Sequence, residues 1–188
     1  RVDQLRQALD EATRPTDPRV GLEVAMGLET AHRESLARLH KKMTLDDFRQ
    51  AADYLKAREV ALRVFLLVHP PFIPSAEREE SLASSVAFAF SCGASVVSLI
   101  PTRSGNGAME ALTPQGSFEP STLSDLERAL EVARSRARGR LLADVWDLER
   151  LATCPRCFFD RAERLRLQNL QQRGLPPVPC DACGGTPR

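Results

Sequence analysis

The chain is 188 residues long, which leaves room for one ordinary domain and a small appendage. Lys and Arg total 26 against 25 Asp and Glu, so no global basic field points to a polyanionic partner, although six arginines face three acids from Cys154 onward. The longest apolar stretch, Val86 to Ile100, is broken by Ser91, Ser95 and Ser98 and falls short of the roughly 18 residues a membrane span needs, so no membrane partner is expected.

In chain order, an opening helical pattern (Val2, Leu5, Leu9) runs to a turn at Pro15 to Pro18. The chain opens on Arg1 inside that pattern, so it is expected to continue a longer protein. Leu22, Val24, Met26 and Leu28 alternate with small or polar residues as a strand does, ending at Glu29 and Thr30. A short helix over about 31–39 is followed by a second, with Thr44 as N-cap and Leu45, Phe48, Ala52 and Leu55 as its apolar face. Val60 to Val68 is nearly all apolar, which predicts a strand covered on both faces and stopped at His69, Pro70 and Pro71. A helix from about Glu77 to Cys92 closes at Gly93, and Ala94 to Ile100 makes a third buried strand. A turn-rich loop, Thr102 to Pro120, leads into a helix from Leu123 to about Ala137, and Leu141 to Trp146 reads as a fourth strand. Strand and helix alternating at this spacing predict an α/β fold with a parallel sheet, either open and doubly wound or part of a (β/α) barrel. The division is a core over 1–150 and a small unit over 151–188 with one helix, about Phe158 to Gln172.

Two CxxC pairs, Cys154 with Cys157 and Cys180 with Cys183, carry the strongest chemical signal. Two such knuckles supply four thiolates for a tetrahedral structural zinc, with an iron–sulfur cluster as the alternative. Paired CxxC motifs without a secretory segment favour reduced thiols and a cytoplasmic location. Arg161, Arg164, Arg166 and Arg173 lie beside this site, where they either contact phosphates or form a solvated face. Ligands of parallel sheets bind beyond the carboxyl ends of the strands. There the sequence sets Glu29 and Thr30, His69, then Pro101 and Arg103, and finally Asp144. The Ser104-Gly105-Asn106-Gly107 run lacks the spacing of a phosphate-binding loop and reads as a turn whose amides could approach a ligand.

Gly27-Leu28-Glu29-Thr30-Ala31-His32, followed by Leu39-His40-Lys41-Lys42-Met43-Thr44, resembles a passage in the later half of radical SAM barrels. Ala61 to Val68 with its Pro-Pro stop and the Val97-to-Thr102 strand resemble the strands that follow it there. With Asp144, Trp146 and the CPRC and CDACGG tail, the chain is most similar to the archaeosine synthase radical SAM subunit family and its bacterial relatives. The resemblance implies a partial parallel (β/α) barrel and a zinc-binding tail. It also implies S-adenosylmethionine, reductively cleaved at a [4Fe-4S] cluster to a 5′-deoxyadenosyl radical. Glu29 and Thr30 would match the contact to the methionine portion; Ile100, Pro101, Arg103, Gly105, Asn106 and Gly107 would lie on the adenosine side, with His69 and Asp144 toward the substrate. The sequence departs from the family in having no CxxxCxxC, so the cluster ligands are expected upstream. A modified base in tRNA would be the substrate, and a second subunit of a tRNA-modifying complex a partner. Two alternatives are a zinc-knuckle scaffold that docks RNA or protein without catalysis and a metal-independent transferase using the glycine loop.

Overall fold

The computed structural model describes residues 1–12, 21–105 and 107–184. The turn at Pro15 to Pro18, as well as Asn106, lies outside the described residues. Four strands, β1 (Glu23–Glu29), β2 (Ala61–Val68), β3 (Val96–Pro101) and β4 (Arg140–Ala143), form one parallel sheet in the order β1-β2-β3-β4. The helices are α1 (Val2–Ala12), α2 (Arg33–Arg38), α3 (Leu45–Lys56), α4 (Arg78–Ser91), α5 (Ala108–Leu112), α6 (Leu123–Arg134) and α7 (Phe158–Gln171).

A sheet that adds each strand beside the last, always in the same direction, sends successive crossovers to one side. Accordingly α3, α4 and α6 pack on a single face, over Leu62, Val64, Leu66, Val68, Val97 and Leu99. A doubly wound sheet would reverse its order at a switch point; this one does not. The β2 segment therefore departs from the two-sided burial its sequence suggests: Leu62, Val64, Leu66 and Val68 are buried, while Arg63 and Phe65 on the other face are only half-buried. On that bare face Phe65 stands beside Ser98, which stands beside Leu142.

Helix starts are set locally. Thr44 caps α3 and Thr122 caps α6, each in a reciprocal box in which the threonine hydroxyl accepts from the amide of Asp47 or Asp125 and that carboxylate accepts from the threonine amide. Gly93, at φ 89°, ends α4 in the left-handed region where a side chain is strained. The loop predicted over 102–120 holds the short α5, and β4 stops at Ala143 because the Asp144 carboxylate accepts from the Trp146 amide and turns the chain away.

The outer edge of β4 is sealed by side chains rather than by a strand. Asn169 Oδ1 accepts from the Ala143 amide at 2.8 Å and its Nδ2 donates to the Ala143 carbonyl at 2.8 Å. Gln172 does the same for Leu141, at 2.9 and 3.2 Å. One turn of α7 and its cap thus imitate a neighbouring strand, which blunts an edge that otherwise invites pairing with another chain. Replacing Asn169 and Gln172 together with alanine is expected to leave the helix content unchanged but to promote self-association, read by light scattering against the parent protein.

Burial of charge fixes α7 to α6. Glu127 Oε2 accepts from Arg161 Nε and Nη2 at 3.1 and 2.5 Å, and Oε1 accepts from Arg164 Nη1 at 3.2 Å. Arg164 also donates to the carbonyls of Leu175 and Pro176, holding the segment that returns from the end of α7 toward the second CxxC pair.

Candidate functional site

The four cysteine sulfurs come together at the start of α7. All lie within 4.8 Å of one another, with Cys154 to Cys180 at 3.9 Å and Cys157 to Cys183 at 3.8 Å. A tetrahedron of thiolates about 2.3 Å from one ion has edges of about 3.8 Å. The donor set therefore fits one tetrahedral ion, whereas a cubane cluster spreads its thiolates over four irons and needs them farther apart. Cys154 and Cys157 are buried, Cys180 is half-buried and Cys183 exposed. The amides of Cys157 and Arg156 bring the Cys154 thiol down to about 7, while the crowding beside Cys180 pushes Cys183 up to about 12. Four thiols so close cannot all ionise without a cation among them.

Two of the four arginines near this site are taken up inside the protein. Arg161 and Arg164 are buried against Glu127, Arg166 pairs with Glu163 at 2.6 Å, and Arg173 donates to Gln171 at 2.8 Å. Arg161 and Arg164 are internal struts because α7 must bury one charged face to seat Leu165 and Gln168 in the core, whereas Arg166 and Arg173 are exposed.

The strand-end residues fall into two groups. The first lies toward the bare sheet face. Glu29, at φ 68° after a bulge in β1, pairs with Lys41, and Lys41 also donates to the Gly27 carbonyl at 2.9 Å. A Cβ at Gly27 would stand 2.7 Å from Glu29 Oε1 and 2.9 Å from Lys41 Nζ, so a side chain there would push the tips of this pair aside. Arg103 crosses to the end of β4, donating to Asp144 Oδ2 at 3.1 Å and to the Trp146 carbonyl at 2.5 Å, with its guanidinium 5.5 Å from the Trp146 ring centre. Its Nε is buried and has no partner among the described residues. Beside this cluster a groove of about 480 Å³ runs over Phe65, Ser98, Ile100, Leu142, Asp144 and Trp146. Ser98 carries no strand-end motif signal and escaped the sequence reading of the site, as did the role of Lys41, while Trp146 entered it only through the resemblance; the fold puts all three beside residues singled out as site candidates.

The second group faces the helical layer. Thr30 is buried, its hydroxyl accepting from the His32 amide at 3.0 Å and lying 3.4 Å from the Ser85 hydroxyl. Pro101 is buried as well, on the side covered by helices. His69, at φ 53°, lines a cavity of about 240 Å³ between α4 and α6 with Thr30, Arg78, Ser85, Asp125 and Arg128. His69 and Glu29 consequently do not share a pocket. Burial pushes the His69 imidazole below its ordinary value, against the opposing pull of Asp125 3.8 Å away. Its sign follows from proton binding: as pH falls past the ordinary imidazole value of about 6.5, the unfolded chain takes up a proton that the buried ring resists, so stability drops. His69→Asn, which tolerates the left-handed backbone, is expected to flatten the stability profile over that window, measured by urea unfolding at several pH values.

The glycine loop is already engaged. Gly105 and Gly107 have φ of 115° and 76°, and the Gly105 amide donates to the Glu110 carboxylate, which backbone N–H groups hold below the usual carboxylate range.

No helix among the described residues is long and apolar enough to cross a membrane. No family model matches the chain, and no curated protein does. Among solved structures it is similar to archaeal Elp3 of Methanocaldococcus infernus lacking its N-terminal residues 1–46, at a TM-score of 0.60 and 13% identity. That alignment covers 90% of this chain but only 39% of the Elp3 chain, and the likeness it establishes is one of fold: a parallel α/β sheet built like part of Elp3.

Proposed function

We propose that the chain is the later part of a radical SAM barrel whose earlier strands, with their cluster-binding cysteines, belong to a longer protein. The observation that carries this reading is the bare sheet face. A singly wound sheet leaves half-buried Phe65, Ile100 and Leu142 facing away from its helices, and a surface of this kind is normally covered. The similarity to Elp3, a radical SAM family member, over less than half of that protein's length supports the same reading. An iron–sulfur cluster and S-adenosylmethionine would supply the radical chemistry, and this chain would orient the cofactor and substrate. Glu29, held by Lys41, stands at the β1 end, and the Arg103–Asp144 pair at the β3–β4 end, two to three strand spacings or roughly 10–14 Å away. Arg103 fixes the Asp144 carboxylate and the Trp146 carbonyl at the edge of this face.

The tail is a structural zinc site, supported by four thiolates at tetrahedral spacing with no position left for substrate. The cytoplasm, where such thiols stay reduced, suits both metal groups. A tRNA base of the archaeosine type is the substrate class we favour from the sequence resemblance, with a second subunit contributing the RNA contacts that the internally paired arginines do not offer. A non-catalytic scaffold is the second reading, favoured by the fact that Glu29 and Asp144 each already have a cationic partner. Isothermal titration of S-adenosylmethionine into protein from the gene's complete reading frame separates the two. Binding that depends on a reconstituted cluster supports the enzyme; no binding with the cluster in place supports the scaffold.

A further inference from the structure

The cavity of about 240 Å³ beside His69 lies on the helical side of the sheet, away from the bare face. Its floor is apolar, from Val68, Leu82, Ala129 and Val132. Its charged lining groups, Arg78 and Arg128 against Glu79 and Asp125, cancel and offer a dianion no net attraction. Arg128 is committed to Glu79 through two hydrogen bonds of 2.8 and 2.9 Å that tie α6 to α4 at the exposed rim. His69 and Asp125 are less fully used. Arg78 Nη1 stands 3.4 Å from His69 Nδ1; a guanidinium can only donate, so Nδ1 is the acceptor and the proton of the neutral ring sits on Nε2. Nε2 faces Asp125 Oδ1 at 3.8 Å, beyond hydrogen-bond reach. The other carboxylate oxygen, Oδ2, accepts from the Thr122 amide and hydroxyl, which fixes the carboxylate in place. His69 is itself held in the left-handed region at φ 53°, a conformation a non-glycine residue keeps only where its surroundings impose it. A fixed N–H donor and a fixed oxygen acceptor thus stand side by side in the cavity wall, across a gap that one hydroxyl oxygen about 2.8 Å from each would close.

We propose that this cavity binds a small neutral polyol of monosaccharide size, one hydroxyl of which accepts from His69 Nε2 and donates to Asp125 Oδ1. A hydroxyl can do both at once, whereas a carboxylate would meet the like charge of Asp125 and an ammonium group has nothing to accept the imidazole proton. The volume lies below the roughly 300–1,000 Å³ of pockets for drug-sized ligands, which confines the occupant to one small ring or a short chain. The apolar floor suits the C–H face of such a ring, and Ser75 and Ser81 offer further hydroxyls to its polar edge. The cavity shares no lining residue with the groove on the bare face, so the proposal stands independently of the radical SAM reading.

The test titrates protein from the complete reading frame, without S-adenosylmethionine, with ribose, glucose, myo-inositol and, separately, inorganic phosphate at neutral pH, followed by calorimetry and by methyl NMR. At least one of the three polyols is expected to bind at a single site per chain and to shift the methyl resonances of Leu82 and Val132. Asp125→Asn keeps an oxygen for the Thr122 cap but turns an N–H toward His69, and should weaken that polyol by roughly ten- to 150-fold, the span for losing a hydrogen bond to a charged group. His69→Asn, too short to reach the same hydroxyl, should weaken it by several-fold. Circular dichroism checks that both variants fold; if Asp125→Asn does not, Ser81→Leu, which fills the cavity from a half-buried position on α4 without touching the cap, should abolish binding in its place. Absence of binding by all three polyols to the parent protein overturns the proposal, as does unchanged polyol affinity in the folded variants. Binding of phosphate alone, lost in the same variants, would overturn the assignment of a neutral polyol.

Discussion

Cys157→Ser is expected to reduce bound metal from one ion per chain to none and to loosen α7 from its N-terminus. Cys157 is both a ligand candidate and the N-cap of that helix, and it is buried. Serine keeps the shape but offers a far weaker ligand, and three remaining thiols with unequal proton affinities cannot close a tetrahedron. The second CxxC pair reaches this point by a return of the chain whose carbonyls at Leu175 and Pro176 are held by Arg164. Loss of the ion would therefore release residues 173–184 while the sheet remains folded. Elemental analysis gives the stoichiometry, and limited proteolysis within 173–184 gives the structural effect. Because the thiols must be deprotonated to bind, metal retention should fall as pH is lowered. Freshly purified, reduced protein without stoichiometric metal would remove the zinc assignment.

Glu127→Ala is expected to destabilise the protein by about 3–5 kcal/mol, because it leaves two buried guanidinium groups without their shared carboxylate. Glu127 is 3% exposed in its side chain, Arg161 9% and Arg164 6%, so solvent cannot take over the pairing. Glu127→Gln should cost less, since an amide oxygen still accepts hydrogen bonds but carries no charge. A combined change of Glu127, Arg161 and Arg164 to apolar residues of similar volume should recover much of the loss, as buried ion networks often contribute little net stability against a well-packed apolar alternative. Urea unfolding of the three variants in protein from the complete reading frame distinguishes these outcomes. Equal stability of Glu127→Ala and parent would mean that α7 is held by apolar packing alone.

The parallel α/β architecture was legible because its elements announce themselves locally. Val60 to Val68 and Val97 to Ile100 are mostly apolar and rich in β-branched or bulky residues, and the threonine–aspartate boxes at Thr44 and Thr122 mark helix starts through their own hydrogen bonds. The four-cysteine site was legible for the same reason: CxxC spacing forces two sulfurs onto one turn, and the chain then brings the two turns together. What the sequence could not show was direction in space. His69 and Glu29 both follow strands, but a left-handed backbone at each and the bulge at β1 send one into the helical layer and the other over the bare face. The destination of Arg161 and Arg164 was equally hidden, because a helix with charges on several faces looks solvated until its packing partner, here Glu127 on α6, is known. Ser98 reads as an interruption of an apolar strand; only the register with Phe65 and Leu142 makes it the floor of a groove.

The most direct test of the radical SAM assignment is the amount of 5′-deoxyadenosine formed from S-adenosylmethionine by reduced, anaerobically reconstituted protein from the complete reading frame. Formation of the nucleoside above that of an unreconstituted control is the predicted result. A reading frame that encodes no CxxxCxxC, with no nucleoside formed, would contradict it.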